Sequence, residues 1–339
     1  MTRPAIEGRL VDAFGRVHTD LRISVTDRCN LRCTYCMPLE AVFKPRTELL
    51  SYEEITRAVR VAAGLGIRSL RLTGGEPLVR ADIHKLVRQL AAVPGIDDIA
   101  LTTNGLLLAE QAEALRRAGL QRLNVSLDSL RDEMFEAIAR RRGLDRVLAG
   151  LVAAKEVGFR RIRINAVSIR GLTEEEIVPL ALFCRRQGFH LRFIEFMPLD
   201  AEAGWSNRQV LSGREVRGIL EREVGPLVEA TRHDDGQPAI DYDWVDGRGS
   251  VGFIDPVTQP FCDRCDRLRL TADGQLRNCL FSTEEWDARG ILRNGADPDE
   301  VEARLAELLR ACVAAKRPAH GIGTPAFARP QRAMYQIGG

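Results

Sequence analysis

Three cysteines within eight residues, Cys29-x3-Cys33-x2-Cys36, constrain this chain more than any other stretch. Three thiolates on one short loop can hold three irons of a [4Fe–4S] cluster and leave the fourth iron open to a small molecule. A structural zinc ion wants a fourth Cys or His close by, and none follows before His84. A zinc loop or a disulfide pair is the plainer alternative. No apolar run reaches membrane-span length, and Met1-Thr2-Arg3-Pro4 lacks the apolar segment of a signal peptide. Both observations point to the cytoplasm, where thiols stay reduced and clustered cysteines read as metal ligands.

The rest of the chain supplies a frame for that loop. At 339 residues and 45% hydrophobic it can bury one large α/β domain or two smaller ones. Residues 1–20 lack periodicity and read as an extended arm. Strands are expected at Leu21–Thr26, Ser69–Thr73, Asp98–Thr103, Arg122–Asp128, Arg161–Ile169 and His190–Met197, with amphipathic helices between them. Ser51-x-x-Glu54, Asp82, Thr173-x-x-Glu176 and Ser212-x-x-Glu215 read as helix caps. Six alternating units imply a parallel sheet with right-handed crossovers, and an open six-stranded partial (βα)6 barrel rather than a closed eight-stranded one. Past a soft boundary the rhythm changes. Short strands at Asp241–Val245 and Ser250–Ile254, a hairpin signal at Asp273-Gly274 and a helix from Asp297-Pro298 make a C-terminal α+β region. The domains are read as 1–230 and 231–339. Cys184 and Cys312 sit on apolar helical stripes and read as core.

The chemistry-bearing groups fall at the C-terminal ends of the expected strands, where parallel α/β folds place their sites. Thr73-Gly74-Gly75-Glu76-Pro77 follows the second strand, and its paired glycines let a ligand approach the backbone. Thr102-Thr103-Asn104-Gly105, Asn124-Val125-Ser126-Leu127-Asp128 and Phe196-Met197-Pro198 end later strands; such polar ends also suit ordinary turns. A second trio, Cys262-x2-Cys265-x13-Cys279, again offers three thiolates. It reads either as zinc with an unseen fourth ligand or as a second [4Fe–4S] cluster. Arg267 and Arg269 follow it at alternate strand positions, an arrangement suited to phosphate oxygens. Arg22, Arg71, Arg163 and Arg192 each lie on a different strand; together they read as the lining of a cavity for a polyanion. The formal net charge of +2 neither requires nor excludes such a ligand.

The C-x3-C-x-aromatic-C loop with Tyr35 and the GGEP run resemble the radical S-adenosylmethionine (SAM) superfamily. With LTTNG, NVSLDS, RFIEFM, the C-x2-C-x-R-x-R-L run, Cys279 and the terminal Gly338-Gly339, residues 17 to 339 resemble the GTP 3′,8-cyclase family of radical SAM lyases. That resemblance implies two [4Fe–4S] clusters, on Cys29/Cys33/Cys36 and on Cys262/Cys265/Cys279. It implies SAM contacts at Tyr35, Gly75, Ser126 and Met197, and GTP contacts at Arg22, Arg71, Thr102, Arg163, Arg267, Leu268 and Arg269. Such enzymes carry Lys or Arg at position 163, and the two differ in reach and donor geometry. No acid–base residue is implied. The implied reaction is removal of the ribose C3′ hydrogen of GTP by a 5′-deoxyadenosyl radical and closure of a bond from C3′ to C8. This opens molybdenum cofactor biosynthesis.

The tail Gly338-Gly339 is expected to enter the cavity, where a terminal carboxylate would orient an arginine. Implied partners are GTP, an external electron donor and, for product hand-over, cyclic pyranopterin monophosphate synthase. The chain is expected as a monomer or homodimer without nucleic acid or membrane. The alternatives are a radical SAM peptide-modifying maturase, which usually carries more downstream cysteines, and a non-catalytic iron–sulfur or zinc protein.

Overall fold

The structure, a computed structural model, describes residues 8–232, 236–325 and 327–338. Gly339 and the Met1–Pro4 segment lie outside the described residues. Six strands, β1 (Asp20–Ser24), β2 (Ser69–Thr73), β3 (Asp98–Thr103), β4 (Arg122–Ser126), β5 (Arg161–Ser168) and β6 (His190–Glu195), run parallel in chain order with helices between them. The six expected βα units are present, with the C-terminal ends of four strands trimmed by one or two residues. Trimming follows from the ladder. Past Ser126, for example, Asp128 turns its carboxylate onto the Val167 N–H at 2.8 Å.

The C-terminal region extends the same sheet at both edges. Its strands are β7 (Leu227–Glu229), β8 (Ile240–Trp244), β9 (Ser250–Ile254), β10 (Arg267–Leu270), β11 (Gln275–Arg277) and β12 (Trp286–Asp287). The order is β12-β11-β10-β1-β2-β3-β4-β5-β6-β9-β8-β7. β9 lies parallel to β6 and β10 parallel to β1, while the outer strands pair antiparallel. The second cysteine trio, with Cys262 and Cys265 before β10 and Cys279 after β11, is thereby carried back to the strand that leads into the first trio.

Strand alternation decides which side chains face the inside. On β1, Leu21 and Ile23 bury against the helices while Arg22 and Ser24 take the other face. Register then lines up Arg269, Arg22 and Arg71 across three adjacent strands. The apolar halves of these strands and the helix stripes, including Cys184 and Cys312, form one continuous core.

Two expected caps differ in kind. Asp82 precedes the helix Ile83–Ala91 in a left-handed conformation and makes no side-chain cap; its carboxylate binds Lys85 at 2.8 Å instead. Thr173 accepts from the Ile169 N–H at 2.8 Å and closes its own turn rather than capping forward. Ser51–Glu54 and Ser212–Glu215 form reciprocal capping boxes as expected. The described part of the arm is tied down rather than merely extended. Val11 bridges Val17, Leu10 N–H bonds the Leu65 carbonyl at 3.2 Å, and Arg16 reaches the carbonyls of Cys262 and Arg317 at 2.6 and 2.8 Å.

Candidate active site

Two adjoining cavities occupy the inside of the sheet. The upper one, about 1020 Å³, is walled by Cys29, Cys33, Cys36, Tyr35, Gly75, Thr102, Ser126 and Met197. The lower one, about 950 Å³, is walled by Cys262, Cys265, Cys279, Arg22, Arg71, Arg192, Arg267 and Arg269. Asn165, Ile194 and Met197 line both, so the two cysteine trios open into one continuous space. Arg163 lies lower still, in a basic recess that also contains Arg122 and Arg192.

At the upper end the glycines of the GGEP turn are required by packing. A Cβ on Gly74, at φ +129°, would lie 2.3 Å from the Thr26 carbonyl oxygen, and one on Gly75 equally close to that of Arg28. The Gly75 N–H donates to the Thr26 carbonyl at 2.8 Å and is not available to a ligand. Glu76 turns inward and accepts from Thr103 Oγ1 at 2.8 Å and from the Asn104 N–H at 2.6 Å. Burial raises its carboxyl to about 7. Tyr35 donates its hydroxyl to Asp128 at 2.7 Å, which fixes the ring beside the cysteine loop. Asn104 donates to Asn30 at 2.7 Å and lies 3.7 Å from Cys29 Sγ. The tail enters here too. Tyr335 offers its backbone to Cys36, and Arg269 donates to the Gly338 carbonyl. A Cβ on Gly338 would meet Thr73 Cγ2 at 2.4 Å and Ser24 Oγ at 2.7 Å. The aperiodic tail holds a single helical turn, Met334–Ile337, that buries Tyr335 and Ile337.

At the lower end, buried donors lack partners. Arg22 Nε, Arg71 Nε, Arg267 Nε and Asn124 Nδ2 have no hydrogen bond among the described residues, nor does Thr102 Oγ1 above them. Burial, then Arg71, draws the Arg22 guanidinium down to about 9; burial, then Arg192 and Arg122, does the same to Arg163. Asp20, 3.8 Å from Arg22 Nε, opposes this only in part, and buried cations short of counter-charge are a standing cost unless an anion joins them. Arg192 is held differently. It donates to Asp241 at 3.3 Å and to His190 Nε2 at 3.2 Å.

The Leu268 side chain is fully buried in the core. Period-two alternation puts it on the opposite face from Arg267 and Arg269, so it lines no part of the cavity.

Both trios suit clusters better than single ions. Among the described residues no three Cys, His, Asp or Glu side chains converge to hold one metal ion, whereas structural zinc needs its donors within about 2.0–2.3 Å of one centre. A [4Fe–4S] cluster takes each thiolate on a separate iron and tolerates wider spacing. Each cavity presents three thiols, and three thiolates fit that group; beside the C-terminal trio lies also His320, whose buried Nε2 has no hydrogen-bond partner among the described residues.

Sequence reasoning passed over several supporting residues. Arg16, Lys316 and Asn278 line the C-terminal trio from outside, and Glu195 pins the 257–258 turn through the Val257 and Thr258 N–H groups at 2.8 and 3.0 Å. Lys316 alone carried a local signal. It lies four residues past Cys312, in line with the apolar stripe of the helix Pro298–Ala314.

Known proteins share this arrangement. Residues 23–184 match the model of the Radical SAM superfamily, and residues 189–322 match Molybdenum Cofactor Synthesis C. The fold is similar to that of Streptococcus suis SuiB bound to S-adenosylmethionine, with TM-score 0.59 and 17% identity over 90% of this chain and 68% of that one. Fold, cysteine loop and matched segment define a radical SAM protein. A GTP 3′,8-cyclase of Rhodopirellula baltica is 50% identical over 97% of this chain and 92% of its own length. One of Pelotomaculum thermopropionicum is 45% identical over 97% and 99%. The chain belongs to the GTP 3′,8-cyclase family.

Proposed function

We propose that this enzyme converts GTP to (8S)-3′,8-cyclo-7,8-dihydroguanosine 5′-triphosphate, the first step of molybdenum cofactor biosynthesis. The reading is carried by two cysteine trios opening into one space with orphaned guanidinium and amide donors in its wall. When bound, SAM and the N-terminal cluster supply a 5′-deoxyadenosyl radical that takes the ribose C3′ hydrogen.

The chain's own work is to hold and to exclude. Cys29, Cys33 and Cys36 hold one cluster, and Tyr35, Gly75, Ser126 and Met197 form the wall against which SAM lies. Arg22, Arg71, Arg163 and Arg267 take the triphosphate in charge-assisted bonds. Thr102, its hydroxyl free, lies on the ribose side. Cys262, Cys265 and Cys279 hold the second cluster at the base end. Arg269, bonded to the Gly338 carbonyl, joins the tail to the substrate wall. Fixed donors on rigid strands align C3′ and keep water from a reactive carbon radical.

The chemistry calls for an external one-electron donor in a reducing cytoplasm, and the product passes to cyclic pyranopterin monophosphate synthase. Among the described residues no helix is long and apolar enough to cross a membrane. The peptide-maturase alternative is not favoured, since relatives at 45–50% identity are GTP 3′,8-cyclases. Anaerobic incubation of the reconstituted enzyme with SAM, reductant and GTP, read by liquid chromatography–mass spectrometry, tests the reading. It expects 5′-deoxyadenosine together with a cyclised isomer of GTP. Cleavage of SAM with GTP recovered unchanged would sink it.

A further inference from the structure

Lys316 is buried at 5% exposure, immediately beyond the helix Pro298–Ala314. Its Nζ donates to the Arg267 carbonyl at 2.9 Å and to Cys265 Sγ at 3.4 Å. Among the described residues no carboxylate lies within ion-pair distance of it. A buried ammonium without a counter-ion is costly, so a nearby negative charge has to compensate it. The groups that meet this need are the sulfurs of the C-terminal trio.

The position of the ammonium is fixed from three directions. Arg16, on the N-terminal arm, clamps the following turn to the cysteine loop through the carbonyls of Cys262, Arg317 and Pro318 at 2.6, 2.8 and 3.1 Å. Asn278 Nδ2 holds the helix end through the Cys312 carbonyl at 2.9 Å. Arg267, whose carbonyl Lys316 holds, is kept in place by β1 pairing through Asp20. A side chain immobilised this way is a fixed charge beside the sulfur rather than a mobile surface lysine.

We propose that Lys316 sets the reduction potential of the C-terminal cluster. A hydrogen bond to a ligating sulfur and a fixed positive charge both stabilise the more electron-rich state and raise the potential. The step concerned is the addition of one electron from a mediator to the oxidised cluster, with no bond made or broken. The proposal rests on the reading that this trio holds a [4Fe–4S] cluster.

The test is an EPR-monitored redox titration of the anaerobically reconstituted full chain, with the N-terminal cluster as internal reference. The Cys29→Ala/Cys33→Ala/Cys36→Ala background assigns the C-terminal signal; no iron and no signal in that background would refute the cluster reading itself. Lys316→Met is expected to move the C-terminal couple at least tenfold toward the oxidised form, about 59 mV more negative for one electron. The N-terminal couple stays in place, and Lys316→Arg recovers most of the shift. An unmoved C-terminal couple in Lys316→Met with full iron content overturns the proposal. Where Lys316→Met does not retain iron, Lys316→Gln is read in its place, and an unmoved couple there overturns it equally. Iron lost from both but kept by Lys316→Arg supports the charge role; iron lost from all three overturns it, since a packing role alone predicts that result.

Discussion

At the N-terminal trio burial, then the Glu76 carboxylate, pushes Cys29 up to about 11, and burial with Cys36 and Asp128 pushes Cys33 well above its ordinary range. At the C-terminal trio burial also raises Cys265, but Arg267 and then Lys316 outweigh it and draw the thiol down to about 6. Cys262 of the same trio is raised by burial as the N-terminal cysteines are, so the contrast between the two loops lies at Cys265 and its two cations. At the N-terminal loop Glu76 and Asp128 outweigh the opposing pull of Arg32, a setting that suits a cationic sulfonium. A loop whose charge is balanced by fixed cations leaves those cations and the arginines beyond them to receive an anionic nucleotide. On the proposed assignment, charge rather than ligand pattern would sort the two ligands between two alike clusters on one sheet.

The largest expected effect removes one side of this comparison. Replacing Cys29, Cys33 and Cys36 together by Ala is expected to abolish 5′-deoxyadenosine formation while iron remains at the C-terminal trio. Residual SAM cleavage by the triple variant would break the assignment of roles. A paired substitution sharpens the other side. Arg269→Ala removes a charge-assisted contact worth on the order of 1.5–3 kcal/mol and is expected to weaken GTP about ten- to hundredfold, with uncoupled SAM cleavage continuing. Gly338→Ala, which drives a Cβ into Thr73 and Ser24, is expected to suppress cyclised product while GTP affinity stays close to the parent's. Isothermal titration with GTP separates the two. Equal losses of affinity in both would mean that the tail and Arg269 act as one binding element.

The βα rhythm, both trios and two of the four caps were legible because each is written in neighbouring residues. Ser51–Glu54 and Ser212–Glu215 are reciprocal pairs within one turn, and Asp273-Gly274 specifies its own hairpin, β10 to β11. What stayed hidden depends on contacts between distant segments. Nothing local to Arg267–Leu270 says that this strand lies parallel to β1, and without that register Arg269 cannot be set opposite Arg22. Strand alternation alone turns the Leu268 side chain to the helix-covered core, so of the run 267–269 only the two arginines present side chains to the cavity. For Arg16 only the pairing with Asp12 four residues earlier was local, and it says nothing about the cysteine loop. Apart from the local carboxylate of Asp12 at 2.5 Å, its side-chain partners are backbone carbonyls some 246 to 302 positions away.

The smallest effect concerns the arm under the C-terminal trio, and it appears only in acid. His18 is fully buried, and neither ring nitrogen has a hydrogen-bond partner among the described residues. Burial, then the charge of Lys316, draws it from 6.5 down to about 4, with Asp12 opposing. A histidine depressed in the folded state contributes stability that is complete above the unfolded value. That contribution is lost as pH falls from about 6.5 toward about 4, because the unfolded chain takes up the proton first. By pH 5 the loss should be on the order of 1–2 kcal/mol. The acid effect should therefore fall on the arm beneath the C-terminal trio. Thermal melts of the reconstituted protein at pH 7 and pH 5 are expected to diverge less in His18→Gln than in the parent, and a constant packing penalty cancels from that difference. Parallel pH slopes in the two proteins would show that His18 is not the group that titrates, and would remove acid sensitivity from the list of ways in which the two loops differ.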